Sequence, residues 1–148
     1  MPEKIKLDRI DHVCVIVDDI EKTLERIQQK FDVPKCKIEE STSTARLKGK
    51  VIGQYKLKAL FVDITENMSI EFLEIAEGNS VELDWLKKHG RTIHHIAVLS
   101  EDLENEAAKW EKIGVRVLQE DHGKWIYLDT EEILGMNIEL VNPQELLR

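Results

Sequence analysis

The chain contains two copies of one pattern. Residues 10–31, IDHVCVIVDDIEKTLERIQQKF, lie over residues 93–114, IHHIAVLSEDLENEAAKWEKIG, without a gap. His12 then falls on His95, Asp19 on Asp102, Ile20 on Leu103 and Glu21 on Glu104. Each copy reads as an apolar, β-branched strand, an acidic break and a helix with one apolar face. Asp18 or Asp19 in the first copy, and Ser100 or Asp102 in the second, suit the cap before the helix. Ile20, Leu24, Ile27 and Phe31 recur at helical spacing, as do Leu103, Ala107 and Trp110.

The repetition continues downstream. Residues 58–75, KALFVDITENMSIEFLEI, and 124–141, KWIYLDTEEILGMNIELV, both read as strand, acidic turn, strand. Phe61-Val62-Asp63 matches Tyr127-Leu128-Asp129, and Ile70-Glu71 matches Ile138-Glu139. The expected fold class is therefore α+β, a single domain over 1–148 built from two βαβββ modules, one at about 8–75 and one at about 92–142. Between them lie residues 76–91, with a short helix in VELDWLKKHG stopped by Gly90. Residues 39–50, EESTSTARLKGK, read as the mobile loop.

Bulk properties narrow the function. A net charge of −8 in 148 residues argues against nucleic acid or an anionic membrane as partner, since both reward clustered Lys and Arg. No apolar run reaches the length of a membrane span, and the N-terminus lacks the apolar core of a secretory signal. Cys14 and Cys36 are too few for a disulfide framework. A cytoplasmic setting follows as the expectation.

Four residues carry the chemistry. Strand residues alternate between faces, so His94 and His95 are not expected to line one pocket together. Glu71 and Glu139 each sit among apolar strand residues, where an unpaired buried carboxylate costs several kcal/mol, on the order of 2–7. Water, a basic partner or a metal ion must stabilise them. His12 and His95 hold equivalent positions in the two copies. Packed about a pseudo-twofold axis, His12, Glu71, His95 and Glu139 would converge, and two imidazoles with two carboxylates suit a divalent transition metal. Taken singly, each also has an ordinary explanation: a hydrogen-bonded histidine, or a glutamate facing water. Cys14, on the His12 face, reads as a small core residue. Lys56 and Lys58 read as solvated charges, with Gln54 sharing their parity.

The motifs IDHVCVIVDDIEKT, IHHIAVLSEDLE, IEFLE and MNIELV together resemble the vicinal oxygen chelate superfamily, the glyoxalase/bleomycin-resistance fold, over nearly the whole chain. Within it, IHHIAV and DHGKWIYLD…GMNIELV are most similar to methylmalonyl-CoA epimerases. The resemblance implies an open, cup-shaped mixed sheet around one divalent ion (cobalt, nickel, zinc, manganese or magnesium). It implies His12, Glu71, His95 and Glu139 as ligands, and Glu71 or Glu139 as the catalytic base. His94 falls on Asp11 and is expected to face the helices or a structural hydrogen bond. His122 matches a loop beside the pocket, and Trp125 and Tyr127 either wall that pocket or pack in the core. Family epimerases carry His-Pro and Gly-Gly before the last strand, where this chain has Asp129-Thr130 and the single Gly135.

The implied function is a metal-dependent isomerase, epimerase or lyase that abstracts a proton next to a polarised carbonyl through an enediolate-like intermediate. A small-molecule substrate (an acyl-CoA, thioester or hemithioacetal) and a homodimer follow by the same analogy. The alternatives are an extradiol-type dioxygenase, using His12, His95 and Glu139 around iron, and a non-catalytic small-molecule binding or resistance protein.

Overall fold

The computed structural model describes residues 3–146. The first module runs β1 (Ile10–Ile16), α1 (Ile20–Lys30), β2 (Glu39–Leu47), β3 (Lys50–Thr65) and β4 (Met68–Glu77). Helix α2 (Val81–His89) follows, and the second module is β5 (Ile93–Leu99), α3 (Leu103–Lys112), β6 (Val117–Asp121), β7 (Trp125–Leu128), α4 (Glu131–Leu134) and β8 (Asn137–Val141). Two expectations are corrected here. Residues 39–47 are no mobile loop: β2 pairs with β3 from Glu39↔Ala59 to Leu47↔Lys50, because Thr and Ser suit an exposed pleated surface. The acidic turn between β7 and β8 also holds the one-turn helix α4.

The strand order is β1-β4-β3-β2-β6-β7-β8-β5, with β5 returning to β1. The sheet therefore closes into a barrel where an open cup was expected. Closure between the modules rests on the single registered pair Arg46↔Glu120 at one seam and on the antiparallel β1–β5 pairing at the other. Within each module the first strand runs parallel to the last, β1 with β4 and β5 with β8. That matched pairing is the structural form of the repeat.

Local sequence explains the helices. Asp19 caps α1 by accepting from Lys22 N at 3.0 Å, and Asp102 caps α3 by accepting from Asn105 N at 3.2 Å. Helix α3 buries Leu103, Ala107 and Trp110 on Leu128, Ile138 and Leu140. Helix α1 buries Ile20 on Leu60 and Val62. Both cover outer faces of the sheet. Helix α2, capped by Ser80, behaves differently: its Trp85 packs on Cys14, Ile16 and Leu73, on the same strand faces as His12 and Glu71. It plugs the inside of the barrel and gives the internal cavity a floor. Among the described residues no helix is long and apolar enough to cross a membrane.

Candidate metal and active site

The four candidate ligands come from four contiguous strands of the barrel wall, β4, β1, β5 and β8, and their tips meet. His12 Nε2 lies 3.5 Å from Glu71 Oε1 and 3.5 Å from Glu139 Oε1. His95 Nε2 lies 3.6 Å and 3.4 Å from the same two oxygens. All four residues are buried, and both Nε2 atoms lack a hydrogen-bond partner. Buried imidazole nitrogens are normally satisfied, so two orphans aimed at two carboxylates need an account. A divalent ion supplies one. His12, His95 and Glu139 each offer an atom within 4.8 Å of the other two, and Glu71 stands within 3.6 Å of both imidazole nitrogens, so the donor set suits such an ion in its chemistry.

The histidines are oriented from behind by a feature that strand periodicity did not anticipate. Where β1 meets β5, Ile10 and His12 oppose Val98 and Ala97, leaving Asp11 as an extra residue on β1. Further along, Cys14 and Val15 oppose His95 and Ile93, leaving His94 as an extra residue on β5. Bulges of this kind re-aim a side chain. As a result Asp11 Oδ2 reaches His12 Nδ1 at 2.8 Å, and His94 Nδ1 reaches His95 Nδ1 at 2.8 Å. The expectation that His94 faces the helices or a structural hydrogen bond meets both: its ring also stands edge-on to Trp85 at 5.3 Å and Tyr127 at 5.1 Å. The two residues aligned in the repeat hold equivalent posts, one a carboxylate and one an imidazole.

Burial disfavours charge on His12, yet Asp11 at Nδ1 and the carboxylates of Glu139 and Glu71 facing Nε2 outweigh it and raise its pKa to about 11; a bound ion would take the place of the Nε2 proton. Burial likewise opposes ionised Glu139, but His95 and His12 bring it down to about 2. Glu139 is thus a carboxylate at neutral pH. His94 is pushed down by burial and by His95, so it stays neutral and can accept from His95 Nδ1–H. That tautomer frees the His95 Nε2 lone pair for an ion. Cys14 offers its sulfur within 4.8 Å of donor atoms of Glu71 and His95, but burial and the field of Glu71 push its thiol well up. It packs as a neutral core residue.

His12, Glu71 and Glu139 line a cavity of about 570 Å³, whose apolar wall includes Leu57, Ala59, Phe61, Leu73, Trp125 and Tyr127. The remaining sequence candidates divide by parity. Odd-numbered residues of β3 face in, whereas Lys58 pairs outside with Glu21 at 2.7 Å and Lys56 with Glu77 at 3.3 Å. Gln54 bonds Thr44 on the same outer side. Trp125 and Tyr127 wall the cavity, and His122 is exposed and away from it. Sequence reading missed Glu82 and Tyr55, which border the floor, and Gln119, which bonds Tyr55. The signal for Glu82 was its spacing from Trp85 and Leu86 on one helix face.

The chain is a closed barrel of paired βαβββ modules with a two-histidine, two-glutamate cluster on its inner side. The chain belongs to the Glyoxalase/Bleomycin resistance protein/Dioxygenase superfamily, which residues 11–127 match. Among solved structures it is similar to a Streptomyces coelicolor methylmalonyl-CoA epimerase variant in complex with 2-nitronate-propionyl-CoA, with TM-score 0.63, 25% identity, 93% of this chain and 98% of that one covered. It is also similar to the Mycobacterium tuberculosis methylmalonyl-CoA epimerase, with TM-score 0.64, 18% identity and coverage of 97% and 93%. A hypothetical protein from Bacillus halodurans aligns with TM-score 0.64, 22% identity and coverage of 94% and 96%. No curated protein matches the chain in sequence.

Proposed function

We propose that this protein is a divalent-metal-dependent isomerase of the epimerase type, or a related lyase, that removes a proton from the carbon next to a carbonyl, with an acyl thioester as the favoured substrate class. The observation that carries the reading is the meeting of His12 and His95 Nε2 with the same two glutamate oxygens at 3.4–3.6 Å on the cavity wall. His12, Glu71, His95 and Glu139 would hold the ion. When bound, it would polarise the substrate carbonyl and lower the barrier to breaking the adjacent C–H bond.

The chain's own groups do the rest. Glu139 or Glu71 accepts the proton, and Glu139 is ionised across the neutral range. Asp11 and His94 keep the two imidazoles aimed at the centre. Leu57, Ala59, Phe61 and Leu73 keep bulk water from the reacting carbon. Lys35, Lys37 and Lys124 border the same cavity and offer cations to an anionic tail. Glu71 stands as near both imidazole nitrogens as Glu139 does, which supports a fourth donor beside the set His12, His95 and Glu139. The epimerase neighbours support the acyl-CoA class, since one of them holds 2-nitronate-propionyl-CoA.

The test begins with metal analysis of protein purified without chelators. Metal-loaded protein is then incubated in deuterated water with 2-methylacyl-CoAs, hemithioacetals and 2-hydroxy carbonyl compounds. Deuterium appearing beside the carbonyl in one class, and lost in Glu71→Gln or Glu139→Gln while the metal stays bound, supports the reading and names the base. Bound metal with no exchange in any class refutes it.

A further inference from the structure

The floor of the cavity carries a polar group that the four-donor centre does not use. Glu82, on α2, has no exposure to solvent, yet it is one of the residues lining the cavity. Its Oε1 accepts from Tyr55 Oη at 2.9 Å, and Tyr55 Oη in turn accepts from Gln119 Nε2 at 3.1 Å. Its Oε2 is buried with no hydrogen-bond partner. Leu57 and Leu73 on the lining are apolar, and Trp85, one turn along α2, sits with them in an apolar cluster. A leucine at position 82 would fill that end of the barrel without desolvating a carboxyl, so packing alone does not explain the residue.

The chemistry of the group selects its occupant. A substrate carboxylate would meet the acid of Glu82 and, nearby on the lining, Asp121. An ammonium would need Glu82 ionised, and burial resists that. A hydroxyl can both donate and accept, and it matches a carboxyl oxygen lacking a partner beside a phenol and an amide. We infer that Glu82, with Tyr55, itself bonded by Gln119, forms a second subsite on the cavity floor that binds a neutral hydroxyl on the acyl portion of the substrate. This rests on the acyl-thioester reading above, and it deepens it: the preferred substrate carries a hydroxyl, and a plain alkyl or dicarboxylic acyl group is disfavoured. Sites built to bond a substrate hydroxyl reject analogues lacking it, because their own buried groups are then left unpaired.

The probes are 2-methylbutanoyl-CoA and 3-hydroxy-2-methylbutanoyl-CoA, identical except for one oxygen. Calorimetric titration of the metal-loaded protein should show the hydroxylated thioester binding about tenfold or more tightly. In Glu82→Leu the preference should vanish or reverse, and in Tyr55→Phe it should shrink while the fold persists. A purely structural Glu82 would lower the melting temperature of Glu82→Leu and leave the binding ratio unchanged. Equal binding of the pair by the native protein, no binding of either, or a preference that survives both substitutions overturns the subsite. Deuterium exchange with the same thioesters separates the two readings. Preference without exchange keeps the subsite and refutes proton abstraction, whereas exchange without preference does the reverse.

Discussion

Replacing His94 by phenylalanine isolates the bond behind one candidate ligand. The ring stays, so the edge contacts to Trp85 and Tyr127 can persist; what goes is the nitrogen 2.8 Å from His95 Nδ1. His94 and His95 have no exposure to solvent, so no water replaces the lost partner and His95 Nδ1–H is left buried and unpaired. That omission costs about 1–3 kcal/mol, and supports of this kind are worth about 10–100-fold in metal affinity. The two figures agree, since each factor of ten is about 1.4 kcal/mol. Competition titration against a chelator of known affinity reads the change directly. Asp11→Asn is the matched control on the other bulge: it keeps an oxygen for His12 Nδ1 and removes only the charge, so its loss should be smaller. Unchanged metal affinity in both His94→Phe and Asp11→Asn would refute the argument that the bulge residues aim the imidazoles.

Three further outcomes are expected. Burial raises the folded-state carboxyl of Glu82 above 4.5, outweighing the neighbouring donors, Tyr55 among them, that favour its charge. The native fold therefore holds a proton that the unfolded chain releases, so the stability Glu82 contributes is full below pH 4.5 and falls as pH rises toward the raised value, by at most about 1.4 kcal/mol per pH unit. Melting curves of native protein and Glu82→Gln should diverge with rising pH in favour of the variant; a constant gap from pH 4.5 upward would contradict the assignment. Trp110→Ala opens a void on the outer face under α3 and should cost about 3–5 kcal/mol in urea unfolding, with metal affinity unchanged. Gly78 holds φ at +87°, and a Cβ there would sit 2.7 Å from Gln54 O, so Gly78→Ala should destabilise by about 1–2 kcal/mol or more and disturb binding at Tyr55, which it abuts.

Much of the molecule was legible in the residues. The gapless match of His12 with His95 through the following helices established a duplicated module, period-2 alternation put Glu71 and Leu73 on one face, and Lys56 and Lys58 read as solvated charges. The capping acids were readable because Asp19 and Asp102 act on backbone groups three residues away, within their own segment. Residues 39–50 were misread because a run of Ser and Thr is equally a loop or an exposed strand until a partner is known, and its partner is β3.

What the chain fixes by itself is local: period, caps, and the identity of the side chains that recur in register. Closure of the barrel, the twin bulges and the floor supplied by α2 belong to the tertiary structure. An extra residue in a strand is defined only by the strand opposite, so neither Asp11 nor His94 betrays its role along the sequence. Glu82 likewise becomes a buried acid at a cavity floor only once α2 lies across the inside of the sheet, bringing it to Tyr55 and Gln119 from distant strands.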